Sequence, residues 1–166
     1  VHASDSVAME DKPAVALKKK DSSIAVAINL HKQNDVDAVV SAGNTGAVMA
    51  AALFTLKRLK GIRRPAIGSI MPSESGATLV IDVGANVDSR PQDLFEFAIM
   101  GNIFYSHLYN VENPKVGLLS IGHEDVKGNE LTLKTNALLQ NADFNFIGNV
   151  EGGDILRGNA HVVICD

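Results

Sequence analysis

The sequence has one cysteine, Cys165, and no tryptophan. A lone thiol excludes an internal disulfide and a cysteine metal cluster, and it fits a reducing compartment. Long apolar runs are missing as well. The longest weakly polar stretch, Gly46 to Leu56, is about half of the roughly 20 residues that a membrane-spanning helix needs. Positive charge is not in excess: 15 Lys and Arg face 19 Asp and Glu, for a net charge of −4. General nucleic-acid binding requires a strongly basic face, so nucleic acid is not an expected partner. The first residues lack the basic-then-apolar order of a signal peptide. What remains is 166 residues, 46% hydrophobic and 20% charged, enough for one domain with a core.

The two ends read as interrupted elements. Val1-His-Ala resembles the tail of a strand, and Ala160 to Asp166 a strand that stops where a functional loop is expected. The expectation is a single α/β domain over residues 1–166, a piece of a longer protein.

Apolar runs of strand type alternate with helical patterns. Helices are expected over Pro13–Lys20, from a cap at Asp21-Ser22-Ser23 to Gln33, over Thr45–Leu59, Pro91–Tyr109 and Asn129–Gln140, with one turn at Asp154–Arg157. Strands are expected at Asp37–Ala42, Pro65–Met71, Ala77–Val83, Lys115–Ile121, Phe144–Gly148 and Ala160–Cys165, with a turn at Pro72–Gly76. Near-continuous apolar strands are covered on both faces. The fold class is therefore α/β, a three-layer α/β/α sandwich with a largely parallel, Rossmann-like sheet.

Four polar, glycine-bearing segments each follow a strand-type run. They are Ser41-Ala-Gly-Asn-Thr-Gly46, Asp82-Val-Gly-Ala-Asn-Val-Asp88, Ile121-Gly-His-Glu-Asp-Val-Lys-Gly-Asn-Glu130 and Gly148-Asn-Val-Glu-Gly-Gly-Asp154. In a parallel sheet such loops leave one edge, where ligands bind. Gly43 and Gly46 let the backbone approach a ligand, and a following helix start favours an anion. A plain turn capped by Asn44 or Thr45 explains that segment equally well. In the second segment, Asp88 or Ser89 can simply cap a helix, which leaves Asp82 and Asn86 unexplained. The third carries His123, Glu124, Asp125, Lys127, Asn129 and Glu130. A loop lysine is usually a solvated surface group, and a lone loop histidine usually idle; position at the shared edge is the argument for function. Neither a Walker loop nor a Gly-x-Gly-x-x-Gly fingerprint is present. The segment Lys57-Arg-Leu-Lys-Gly-Ile-Arg-Arg64 is basic enough to dock an acidic protein or anionic headgroups.

These segments, with Lys18-Lys-Lys-Asp-Ser-Ser23, Ala98-Ile-Met-Gly101 and Phe146-Ile-Gly-Asn-Val-Glu151, resemble the PlsX family of phosphate acyltransferases in order and over nearly the whole chain. The resemblance implies transfer of a fatty acyl group from acyl carrier protein to inorganic phosphate, giving acyl phosphate for phospholipid synthesis. It also implies a homodimer, cytoplasmic and peripherally associated with the cell membrane. In that setting Lys127, Asn129 and Asn86 are the candidate catalytic residues. Ser41, Gly43, Asn44, Thr45, Gly46, Asp82, Asp88 and Glu130 are the candidates for binding substrate or orienting donors. Lys57, Arg58, Lys60, Arg63 and Arg64 are the candidate dock for the carrier protein. No cofactor or metal is required, although magnesium would suit a loop set so rich in carboxylates. Two other readings stay open: a magnesium-dependent phosphate- or nucleotide-handling enzyme, and a non-catalytic domain that binds acyl carrier protein.

Overall fold

The computed structural model describes every residue except Ala85 and Val87, which fall inside the Asp82–Asp88 segment. The chain divides into two compact units, Val1–Pro65 and Ala66–Asp166.

The first unit is built from α1 (Ala14–Lys18), α2 (Ser23–Lys32) and α3 (Thr45–Leu56). Ser22 starts α2 by accepting the Ala25 N–H through its hydroxyl, which satisfies one of the orphan donors of a helix start. Ile24 and Ile28 are four residues apart and so share a face. They pack with Ala16, Ala47 and Ala51 into a small core. Small side chains bring these helices close: a Cβ on Gly46 would lie 2.7 Å from Pro13 Cγ.

The strand expected over Asp37–Ala42 does not form. A strand needs a neighbour to take its N–H and C=O groups, and the described residues of this unit contain no strand. Val40 is accordingly 97% exposed. The Ser41–Gly46 segment therefore follows irregular chain rather than a strand.

The second unit carries the sheet. Its strands are β1 (Gly68–Ser73), β2 (Gly76–Ile81), β3 (Val116–Leu119), β4 (Phe146–Val150) and β5 (Val162–Ile164), in the order β1-β2-β5-β3-β4. β1 is antiparallel to β2, and every other pairing is parallel. Pro72 lies inside β1 rather than opening a turn. It is tolerated because β1 is outermost in the sheet, where a missing N–H breaks no ladder on the open side.

The helices of this unit are α4 (Pro91–Tyr109), α5 (Glu130–Leu139) and α6 (Gly152–Arg157). Side chains alternate across the sheet as strand geometry dictates. Leu79, Ile81, Val116, Leu118, Val162 and Ile164 pack with Leu94, Phe97, Ala98 and Tyr105 of α4 and Leu139 of α5. The opposite face carries Val80, Val150, Val163 and Cys165, with Ile155 of α6 against them. This unit is the three-layer α/β/α arrangement with a mostly parallel sheet. Among the described residues no helix is long and apolar enough to cross a membrane.

Candidate functional site

Parallel strands end at one edge, so three of the four singled-out segments meet there: Asp82 onward after β2, Ser120 onward after β3, and Glu151 onward after β4. The fourth, with Ser41, Gly43, Asn44, Thr45 and Gly46, belongs to the first unit.

After β2, Asp82 is fully buried. Its backbone is left-handed, φ 67°, as is that of Asp88, φ 57°. Aspartate tolerates this region better than most residues, and such conformations concentrate at functional sites. Asp82 Oδ2 accepts the Asn86 N–H at 3.0 Å. Its Oδ1 is buried with no hydrogen-bond donor among the described residues. On the adjacent strand end, the Cys165 thiol donates to the Asp82 carbonyl oxygen at 3.2 Å. Burial, with Asp82 and Asp166 adding repulsion, pushes that thiol up to about 11. It is therefore unsuited to act as a nucleophile near neutral pH.

The loop after β3 is tightly knit around Lys127. The Lys127 N–H donates to the Glu124 carbonyl at 2.9 Å, and the Ser120 hydroxyl donates to the Lys127 carbonyl at 3.2 Å. The Lys127 side chain is exposed. Two neighbouring candidates have local work. Asn129 caps α5, its Oδ1 accepting the Thr132 N–H at 2.9 Å. Glu130 accepts from Lys134 Nζ at 2.6 Å, and that hydrogen bond holds its carboxyl below the usual range.

Two residues given no site role from sequence support this loop from below: Asn149, inside the Gly148–Asp154 segment, and Asn136, outside all four segments. Asn149, at the end of β4, donates through Nδ2 to the Glu124 carbonyl at 2.8 Å. Asn136, on α5, donates to Asn149 Oδ1 at 2.9 Å and to Asp125 Oδ1 at 3.2 Å. Asn136 and Asn149 are only 3% and 4% exposed. A signal for Asn136 was present: it stands one turn from Leu139 and beside Thr135, on the face that α5 buries.

His123 is not idle. Its Nε2 lies 2.8 Å from Asp154 Oδ2, and its Nδ1 lies 3.4 Å from Glu151 Oε1. Asp154 is buried and also accepts the Glu151 N–H at 2.8 Å and Asn159 Nδ2 at 2.6 Å. The Glu151 amide above all, with Asn159 and His123, holds its carboxyl below the usual range against the opposing effect of burial.

In the first unit, Asn44 is committed to structure. Its Oδ1 caps α3 by accepting the Ala47 N–H at 2.9 Å. Its Nδ2 lies within 3.1 Å of the carbonyl oxygens of Ala8, Met9 and Asp11. Ser41 accepts the Gly43 N–H at 3.2 Å, and Thr45 is exposed at the start of the helix.

The basic segment follows α3. Lys57 stops the helix with a left-handed φ of 70°. The Arg58 guanidinium donates back to the Arg63 carbonyl. Lys57, Arg58 and Lys60 are exposed, and Arg63 and Arg64 are half-buried. Leu53, Phe54, Leu59 and Ile62 line a concavity of about 600 Å³ with Lys57, Arg58 and Lys60; Arg63 and Arg64 lie outside its lining. Phe54 and Leu59 are 67% and 74% exposed. Among the described residues no cluster of three His, Cys, Asp or Glu could hold a metal ion.

Comparison with known proteins sets this geometry in context. The profile of a family described as "Fatty acid synthesis protein" matches residues 1–166. A phosphate acyltransferase of Geobacter sulfurreducens is 57% identical over 166 residues, 99% of this chain and 48% of the relative. Those of Halothermothrix orenii and Thermoanaerobacterium thermosaccharolyticum are 55% and 51% identical, over 51% and 50% of their own lengths. The chain thus spans about half the length of the curated relatives it matches. Among solved structures, the EutD phosphotransacetylase from Staphylococcus aureus superposes with a TM-score of 0.56 at 19% identity, covering 82% of this chain and 48% of that one. That likeness concerns the fold.

Proposed function

We propose, for a chain that belongs to the PlsX family of phosphate acyltransferases, the transfer of a fatty acyl group from acyl carrier protein to inorganic phosphate. The observation that carries the reading is Lys127: a cation with an exposed side chain and a braced backbone, at the edge where three loops converge.

The reaction is balanced without a cofactor. A phosphate oxygen forms a bond to the thioester carbonyl carbon, and the carbon–sulfur bond breaks. The proton of hydrogen phosphate ends on the carrier's thiol. Phosphate is already an anionic nucleophile, so it needs positioning more than a strong base. The oxyanion that forms at the carbonyl needs aimed donors. Thiols have an unperturbed pKa of about 8.5 and leave without strong acid help. Lys127 would neutralise phosphate or the oxyanion. Asn86, with Asp82 holding its backbone N–H, and the free side-chain amide of a cap such as Asn129 would add donors. Gly43, Thr45 and Gly46, at the start of α3, and Asp88 remain candidates for substrate contact.

A site crowded with carboxylates would repel phosphate if they all faced it. Several are turned to other duties. Asp154 is buried among donors, Glu130 is paired with Lys134, Asp125 accepts from Asn136, and Asp82 is buried. The proposed reaction does not itself call for magnesium to offset them.

The dock for an acidic carrier is the concave face that carries Lys57, Arg58 and Lys60, with Arg63 and Arg64 next in sequence. It combines cations with the exposed apolar surface of Phe54 and Leu59, which suits a charged partner delivering an apolar cargo. Homodimer formation and a cytoplasmic, membrane-peripheral location belong to the same proposal.

The test is phosphorus NMR on the intact protein that carries this chain, mixed with a long-chain acyl carrier protein thioester and inorganic phosphate. A thioester-dependent acyl-phosphate resonance is expected. Lys127→Ala should cut turnover by about 10²-fold or more while leaving the unfolding midpoint nearly unchanged. A folded protein that binds the carrier and makes no acyl phosphate would instead be a carrier-binding domain.

A further inference from the structure

Resting on that reading, we propose that Asn149 is a positioning residue for Lys127, aimed at its task by a bulge in β4 and locked in orientation by Asn136.

The pairing of β3 with β4 slips by one residue. Val116 pairs with Phe146, whereas Leu118 pairs with Asn149 and Leu119 with Val150. β4 uses three steps where β3 uses two. Side chains alternate along a strand, so one extra residue sends everything beyond it to the opposite face. Gly148 supplies the left-handed backbone at this point, φ 89°. Without the bulge, Phe146 and Val150 would share a face, and Asn149 would point to the α6 side. Instead Phe146 packs toward α4 and α5, and Val150 packs on the opposite face. Asn149 is thereby delivered to the α5 side, where Asn136 meets it. Gly117 leaves room for the displaced Val150, whose Cγ1 would lie 2.6 Å from a Cβ there.

The delivered amide has one effective target. The Glu124 carbonyl accepts both from Asn149 Nδ2 at 2.8 Å and from the Lys127 N–H at 2.9 Å. A single carbonyl therefore ties the backbone of Lys127 to the floor of the sheet, and Ser120 fixes its other side. Asn136 decides which way the Asn149 amide points. It donates to Asn149 Oδ1, so Nδ2 must face Glu124. An aliphatic pair would fill this buried space without needing partners, whereas a buried amide pair is tolerated only when its bonds are made. Its gain here is a fixed origin for the Lys127 side chain. Misplacing a reacting group by about 1 Å can cost roughly 10²-fold in rate.

The test is a double-mutant cycle in the intact protein with the thioester and phosphate, paired with amide exchange by NMR. Asn149→Ala should lower kcat about 10–100-fold, with a smaller change in KM for phosphate. In the Lys127→Ala background the same substitution should add little, because its route of action is gone. Independently of turnover, the Lys127 amide should lose its protection in Asn149→Ala while the amides of β2 and β5 keep theirs. If Asn149→Ala proves unfolded, Ser120→Ala removes the other hydrogen bond to Lys127 outside the core and must itself lower kcat. Equal effects of Asn149→Ala in both backgrounds, or unchanged protection at Lys127, would overturn the proposal. Absence of acyl phosphate from the unsubstituted protein would sink the functional reading instead, and the exchange result would still decide whether Asn149 holds Lys127.

Discussion

Asp154→Asn is an isosteric change that the surroundings of this side chain forbid. Every partner of the carboxylate is a donor. Oδ2 accepts the Glu151 N–H and faces His123 Nε2, each at 2.8 Å, and Oδ1 accepts Asn159 Nδ2 at 2.6 Å. An asparagine has one oxygen, so in either orientation its NH₂ group meets a donor. One charge-assisted bond lost in a buried setting costs about 1.5–3 kcal/mol, and the group left unpaired adds to this. A loss of about 2–4 kcal/mol is expected, or a fall in midpoint of roughly 5–15 °C for a chain of this size. The chain has no tryptophan and two tyrosines, Tyr105 and Tyr109. Both lie in α4, so tyrosine emission during unfolding reports the second unit alone. The pH dependence supplies a second check. Hydrogen bonds, that of the Glu151 amide above all, hold the Asp154 carboxyl below its unfolded value. The stabilisation is therefore present above the unfolded pKa and lost as pH falls through the folded pKa. The gap between the two proteins should close over that acid range. A variant as stable as the parent at neutral pH, or a gap that persists unchanged in acid, would refute this account of the Asp154 cluster.

Asn44→Ala removes an α3 cap and three contacts to the carbonyls of the 8–11 segment; loss of the cap alone costs about 1 kcal/mol. Amide exchange should rise across α3 and residues 8–11 and stay unchanged in the sheet. Charge reversal at Arg58 and Lys60 should raise KM for the acyl carrier protein thioester and flatten its dependence on salt. Steady-state rates across ionic strengths, with KM for phosphate as the internal control, would read this out.

The elements that came through from sequence are those whose pattern is local. α4 has Pro91 at its first position, an Asp93 carboxylate that accepts the Arg90 N–H at 2.9 Å, and an apolar face to bury, and it spans the residues its pattern marks. β2, β3 and β5 carry near-continuous apolar runs because both faces are covered. The Asp37–Ala42 run also reads as strand type and fails, because strand formation depends on a neighbour that local composition cannot report. Likewise Pro72 reads as a turn signal on its own. Only the position of β1 at the outside of the sheet shows why a proline can sit within it.

The site was legible as a set of segments and illegible as a set of roles. Glycine and polar residues after strand-type runs mark which loops gather at the edge, since that follows from topology. What each polar side chain does depends on contacts between segments far apart in sequence. Asn44 reads equally as a ligand donor and as a cap, and Asn129 as a donor; both serve as caps. Asn136 carries only its place on the buried face of α5, and the partner it meets there, Asn149, comes from another segment. The decisive case is β4: by simple alternation from Phe146, Asn149 faces away from α5. A slip of one residue at Gly148 reverses that, and no period-two reading of the sequence contains it. The same slip brings Asn149 to Asn136, which also engages Asp125, while Asn149 braces the turn that carries Lys127.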